Sequence, residues 1–308
     1  EQATELIRAQ EIDVLVDLHG LTSNARPNIV ARGPAPLQLT WLGLPGPTAL
    51  PHVDHVVADP FIFPNDLRAG FTEAPLYLPT LYQCSDSQRP IGRLPTRAEL
   101  GLPDDAFVYC AFNNNFKFTP EVFERWMRIL RAVPHAVLWL LEDNPWSRQN
   151  LQAAASAHGV DPARLLFAGR VLPADYLARF TVADLFLDTY PYNAGTTAND
   201  ALWAGLPLLT LSGRTYVSRM AGSLLSSAGL QDLVTHTAED YERTAIEMAT
   251  QPGRLAALRA HLAAEKASGR LFNTRRFARE FEQALLRALR GPDAQWPGTA
   301  NAAPPGDA

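Results

Sequence analysis

Apolar runs of strand length alternate with amphipathic stretches of helical length along most of this chain. The strand-like runs are "DVLVDL" (13–18), "PLQLTWLG" (36–43), "DHVVAD" (54–59), "FVYCAF" (107–112), "AVLWLL" (136–141), "RLLFAG" (164–169), "LFLDT" (185–189) and "PLLTL" (207–211). Most are continuously apolar instead of alternating, which is the pattern of strands covered on both faces in a parallel sheet. Between them the spacing predicts helices over 120–133, 147–158, 174–182, 199–204 and 217–228. Further helices are expected over 238–268, interrupted at "TQPG", and over 274–290. Thr119 and Pro120 supply a cap and a first-turn residue for the helix at 120–133. The opening "EQATELIRAQEIDVLVDL" reads as helix then strand, as if cut from something longer.

The alternation breaks at "YQCSDSQRPIGRLPTRAELGLPDD" (82–105), rich in Pro, Arg and Ser, which reads as a linker between domains. Residues 106–290 hold the elements of a complete doubly wound α/β domain, whereas 1–81 hold too few strands and read as the back half of a second. The segment 291–308 lacks periodicity and is expected to be a disordered tail. A length of 308 residues suits two domains of ordinary size.

Composition narrows the function more than the fold. A net charge of −5 argues against a nucleic-acid groove or an anionic membrane surface as the main partner. Cys84 and Cys110 are the only cysteines, and no His/Cys cluster has metal spacing, so neither a disulfide framework nor a zinc site is expected. A reducing, cytoplasmic setting fits, with no apolar run of membrane-spanning length and no signal-peptide layout.

In open α/β sheets ligands sit beyond the C-terminal strand ends, and three loops there are unusual. "FNNNFKFTP" (112–120) joins a strand to a capped helix, and Lys117 is its only cation. It reads either as a solvated lysine or as a phosphate ligand. "NAGTTANDALWAG" (193–205) brings Gly195, Thr196 and Thr197 to a helix start, where free amides favour an anion or the threonines merely cap. A carboxylate beside a bound phosphate would be repelled, but a neutral diol would not. Asp200 therefore reads as an acceptor for ribose hydroxyls, or else as an ordinary charge in a helix. "SGRTYVSRMAGS" (212–223) adds Arg214 and Arg219, as ligands or as surface charges. Together the loops describe a nucleotide-diphosphate pocket. Neither a G-x-G-x-x-G after a strand nor a G-x-x-x-x-G-K-[ST] is present, so dinucleotide and P-loop readings lack support. Lysine, amides and hydroxyls could neutralise the phosphates without a metal.

Four stretches carry a family resemblance: "RGPAPLQLTWLGLPGPTALPHVDHVVADP" (32–60), "FNNNFK" (112–117), "AVLWLLEDNPW" (136–146) and "ADLFLDTYPYNAGTTANDALWAGLPLLTL" (183–211). They resemble the catalytic region of the O-linked N-acetylglucosamine transferase and SPINDLY-like family, glycosyltransferase family 41, over about residues 11 to 288. The resemblance implies an α/β fold of GT-B type, two Rossmann-like domains with the N-terminal one only partly present and the sugar nucleotide held mainly by the C-terminal one. It implies that Lys117 contacts the diphosphate and supports leaving-group departure, with Asn114 near the nucleotide. Thr196 and Thr197 match the phosphate-binding pair, Asp200 the ribose acid, and Val171 and Arg179 the lining of the uracil pocket. His19 and Thr22 fall in a loop facing sugar and acceptor.

Relatives commonly carry His at the positions of Tyr176 and Gly195, and Tyr at that of Phe116. Gly195 thus lacks an imidazole donor near the phosphates. The family's proposed catalytic His and its tetratricopeptide repeats are expected upstream of Glu1. The expected activity is inverting transfer of a sugar, N-acetylglucosamine from UDP-GlcNAc, to Ser/Thr hydroxyls of a protein or peptide acceptor, with no cofactor. The rivals are a GDP-fucose-dependent protein O-fucosyltransferase of the same fold and a nucleotide-sugar-binding module without transferase activity.

Overall fold

The computed structural model describes residues 1–44 and 46–290. The expected tail at 291–308 lies outside the described residues. Strands β1 (Val14–Asp17), β2 (Leu37–Thr40), β3 (His55–Ala58) and β4 (Ala74–Tyr77) form one parallel sheet in sequence order. Strands β5 (Phe107–Ala111), β6 (Ala136–Leu141), β7 (Leu165–Ala168), β8 (Leu185–Leu187), β9 (Leu208–Leu211) and β10 (Val234–Thr235) form a second. Its order is β10-β9-β8-β5-β6-β7, again parallel throughout. Every residue of β5, β6, β8 and β9 is buried, which is why those runs are continuously apolar.

The helices are α1 (Gln2–Ala9), α2 (Pro27–Val30), α3 (Pro120–Ala132), α4 (Ser147–Ala157), α5 (Pro173–Arg179), α6 (Thr196–Trp203), α7 (Met220–Ser227), α8 (Ala238–Thr250), α9 (Pro252–Ser268) and α10 (Thr274–Arg290). In α3 the hydroxyl of Thr119 accepts from Val122 N, and Val122, Phe123, Trp126, Met127, Ile129 and Leu130 are buried. That spacing is one apolar face of a helix. No helix among the described residues is long and apolar enough to cross a membrane. Both cysteines are free thiols, and burial pushes both up.

Several features add to or depart from the sequence expectations, the short helix α2 among them. Strands β4 and β10 were not expected: β4 is a half-covered edge strand with Pro75 inside it, and β10 has two residues, so neither presents an apolar run. Helix α6 begins three residues earlier than expected, with Gly195 in the cap position, so Thr196 and Thr197 form its first turn. The segment 82–105 joins the two sheets and is fastened along the second unit. Arg97 donates to Val182 O at 3.1 Å and Ala106 O at 2.7 Å and pairs with Asp184 at 2.7 Å.

Helix α10, expected within the unit 106–290, instead packs on the first sheet. Its Ala284 is buried with Leu37, Leu39, Val57, Leu76 and Leu78, and Phe277 and Phe281 stack on Trp41 with ring centroids at 5.7 and 5.0 Å. The reason is the apolar face of that sheet, Leu37, Leu39, Val57, Leu76 and Leu78, against which α10 lays its own apolar side.

The two units share buried polar ties. Asp59, at the end of β3, accepts from Phe61 N, Ile62 N and Tyr82 N at 2.9 Å each and from the Ser223 hydroxyl of α7. Tyr216 OH donates to Val57 O at 2.9 Å, and Arg219 Nε donates to Phe61 O at 2.7 Å. Val56, Ala58, Ile62 and Phe63 belong to the same core as the second sheet.

Candidate functional site

In the second sheet the chain runs outward from β5 through β6 to β7, then returns to β8 on the other side of β5. This reversal splays the loops after β5 and β8 apart and opens a crevice at the C-terminal strand ends. A bridge between Phe118 and Pro191 ties those two loops together. The crevice holds a cavity of about 370 Å³ lined by Phe112, Asn113, Asn114, Lys117, Leu141, Gly169, Arg170, Val171, Pro173, Tyr176, Arg179 and Thr197. Five of the residues singled out in the sequence, Asn114, Lys117, Val171, Arg179 and Thr197, meet here from four segments.

Lys117 ends a short 3-10 turn, Asn115–Lys117, and its Nζ lies 4.4 Å from the Tyr192 ring centroid. No carboxylate within salt-bridge range engages it among the described residues. Burial lowers its pKa, and the charge of Asp188 partly opposes this. Asp188 follows β8 and is fully buried. Its Oδ1 accepts from Thr189 N and Ala194 N at 2.8 Å each, and its Oδ2 accepts from Thr210 Oγ1 at 2.6 Å. Burial nonetheless pushes the Asp188 carboxyl up to about 7, against those bonds and the Lys117 charge. This acid shapes the turn 189–194 that carries Tyr192 to Lys117.

The opposite wall is a clamp. Arg170 donates to Asn114 Oδ1 at 3.1 Å and pairs with Asp143 at 2.8 Å, while Asn115 N donates to Asp143 Oδ2 at 3.3 Å. Arg179 donates to Gly169 O at 2.5 Å and holds the turn before Val171. Arg170 is thus paired with an acid and Arg179 with a backbone carbonyl, whereas the Lys117 ammonium has neither kind of contact among the described residues. Burial, the first of its causes, raises the Tyr176 hydroxyl, and the neighbouring Thr197 hydroxyl works against that rise.

The remaining residues are not among those that line the cavity, although Asp200 is near enough to act on Tyr176. Thr196 is exposed on the first turn of α6. Asp200 forms an ion pair with Arg89, and burial raises its carboxyl while Arg89 lowers it. His19 and Thr22 are exposed in the loop after β1 on the first sheet, where Asp17 accepts from His19 N at 2.9 Å. Arg214 is exposed, whereas Arg219 is a tie between the units, its guanidinium 4.5 Å from the Phe61 ring centroid. At Gly195 the close packing is of another kind: a Cβ there would overlap the methyl of Met220. No group of three or more His, Cys, Asp or Glu side chains that could hold a metal occurs among the described residues. Sequence reasoning missed Tyr192, Asp143, Arg170 and Arg89; the first two stand inside stretches that carry the resemblance, the two arginines outside them. Asp188 carried one usable signal, an acid closing an apolar strand.

The family model of glycosyl transferase family 41 matches residues 1–97 and 91–281. A probable UDP-N-acetylglucosamine–peptide N-acetylglucosaminyltransferase SEC of Arabidopsis thaliana is 33% identical over 291 residues, covering 92% of this chain and 30% of that protein. The similarly named SPINDLY protein of Solanum lycopersicum is 30% identical over 294 residues, covering 94% of this chain and 31% of that one. The chain therefore spans about 30% of the length of these curated relatives. An O-GlcNAc transferase mutant of Thermobaculum terrenum matches in structure with a TM-score of 0.86 and 34% identity, covering 94% of this chain and 55% of that one. WaaG, a glycosyltransferase of lipopolysaccharide biosynthesis, matches at a TM-score of 0.53 and 13% identity, a likeness of fold alone. Two parallel α/β units with the cavity on the second make the architecture GT-B, and the chain belongs to glycosyltransferase family 41.

Proposed function

We propose that this chain carries the donor site of an inverting transferase that moves N-acetylglucosamine from UDP-GlcNAc to Ser/Thr hydroxyls of polypeptides. The observation that supports this most is Lys117, a half-buried ammonium on an aromatic face, opening with Thr197 onto a cavity of about 370 Å³ at the strand-order reversal. A volume in this range suits a nucleotide-sized ligand. The curated relatives, named for UDP-N-acetylglucosamine and peptide, point to the donor and acceptor classes.

In this reading the acceptor hydroxyl attacks the anomeric carbon from the face opposite UDP. The bond from that carbon to the phosphate oxygen breaks, its electron pair leaves with UDP, and the acceptor's proton passes to the departing diphosphate or to water. Lys117 and the N-terminal amides of α6 stabilise the growing diphosphate charge, the part an electrostatic donor set plays in a transition state. Val171, Tyr176 and Arg179 line the base end, and Asn114 is held toward it by Arg170. His19 and Thr22 belong to the acceptor side, and the protein charges replace a metal.

Calorimetry on the intact protein tests the donor: UDP binds, and EDTA leaves the affinity unchanged. Binding lost on chelation overturns the metal-free part. GDP binding at least tenfold tighter than UDP would transfer the reading to a GDP-sugar donor. UDP binding without transfer from UDP-GlcNAc to peptide acceptors would leave a binding module.

A further inference from the structure

Arg89 belongs to the segment between the two sheets, yet its side chain lies along α6. Nη1 pairs with Asp200 Oδ1, and Nη2 donates to Asn199 Oδ1 at 2.7 Å. The guanidinium carbon lies 5.4 Å from the centroid of Trp203, whose Nε1 donates back to Arg89 O at 3.2 Å. Asn199 Nδ2 donates to Ser85 Oγ, so the segment is fastened to the helix at two points. Oδ1 of Asp200 is thus taken by Arg89, while its Oδ2 accepts no hydrogen bond among the described residues and is not sealed from solvent, so it stays available to a ligand. Asp200 stands three and four residues beyond Thr197 and Thr196, on the same face of the helix.

We propose that Arg89 is the positioning residue of a ribose subsite, gripping Asp200 by one carboxylate oxygen and leaving the other for the diol of the donor's ribose. This rests on the UDP-sugar reading given above. Arginine suits the task because its planar fork holds two acceptors in a fixed relation and its charge does not titrate. A buried carboxylate without that partner drifts toward its neutral form, which accepts hydrogen bonds poorly. The groups facing Asp200 are Arg89 and, from α5, Tyr176, with Lys266 of α9 beside Arg89. One consequence is that the segment joining the two units becomes part of donor recognition.

The test compares UDP with 2′,3′-dideoxy-UDP by calorimetry on the intact protein. The wild type is expected to favour UDP by about tenfold or more, as hydrogen bonds to a charged acceptor do. Arg89→Met should bring that ratio to about 3 or less and make UDP affinity rise with pH, where the wild type stays flat. Arg89→Lys, which keeps the charge but not the fork, should lower the ratio with a flat pH profile. An unchanged ratio in Arg89→Met overturns the proposal, and Arg89→Lys decides in the same way if the Met variant does not fold. A wild type that binds UDP without preferring it overturns the ribose role of Asp200 and this proposal with it. A wild type that does not bind UDP overturns the donor reading itself.

Discussion

Lys117 faces Tyr192, its ammonium 4.4 Å from the ring centroid, and the buried Asp188 that fixes this turn acts on it only at longer range. A cation kept over an aromatic face is partly desolvated but not neutralised. It therefore retains its full attraction for an incoming anion. An ion-paired lysine would have to break a bond first.

Lys117→Met should accordingly lower turnover with UDP-GlcNAc by about 10²–10³, the usual loss of one transition-state donor. UDP-GlcNAc affinity should fall far less. Steady-state kinetics alongside calorimetry on the intact protein checks this, and near-normal turnover would refute the role.

Asp188 sets a pH dependence of stability. Its carboxyl ordinarily titrates at 3.8 and in the fold at about 7. Between those values the folded state binds more protons than the unfolded one. Stability from this group is thus highest at low pH and is lost as pH climbs toward 7, by at most about 1.4 kcal/mol per pH unit. Asp188→Asn keeps an oxygen for the two backbone amides and removes the titration. Urea unfolding at pH 5 and pH 8 should show the variant gaining on the wild type at the higher pH. A constant difference would sink the assignment.

Thr197 lines the cavity and Thr196 does not. Thr197→Val should weaken UDP by about tenfold, roughly the worth of one hydrogen bond to a charged group, and uridine by much less. Thr196→Val should have the smaller effect of the two. Equal losses for UDP and uridine in the double variant would show that this turn is structural.

Gly195 and Met220 should prove coupled. Gly195→His pushes a Cβ into the Met220 methyl, the far end of a flexible side chain that can turn aside, and should cost about 1 kcal/mol, the low end of overpacking. Met220→Ala in the same chain should recover part of it, giving a coupling of at least about 0.5 kcal/mol in a double-mutant cycle. Additive effects would mean that the site relaxes freely.

How legible each part was followed from what it needed. Strands buried on both faces, such as β5 and β6, announce themselves because every position is apolar. Strand β4 did not, since an edge strand with a proline shares its composition with loops. The site divided in the same way. Lys117, Asn114 and Thr197 stand at strand ends in unusual loops and could be found by position. Arg89 and Arg170 act through partners 111 and 27 residues away, Asp200 and Asp143, so no local pattern marks them. Asp200 was expected as a free acceptor, and the structure adds a partner that local sequence does not reveal.

Helix α10 makes the molecule less modular than its two sheets suggest. Phe277, Phe281 and Ala284 are encoded at the end of the chain but complete the core of its beginning. A donor unit exchanged between relatives at a single joint in 82–105 would bring a foreign closing helix to the resident first sheet, with Trp41 facing unfamiliar rings. A sound chimera needs two joints, the second between Ser268 and Thr274, so that α10 stays with the sheet it covers. A volume change in the core positions of β2 or β4 should then need a compensating change in α10, which binds two distant parts of the sequence into one unit of packing.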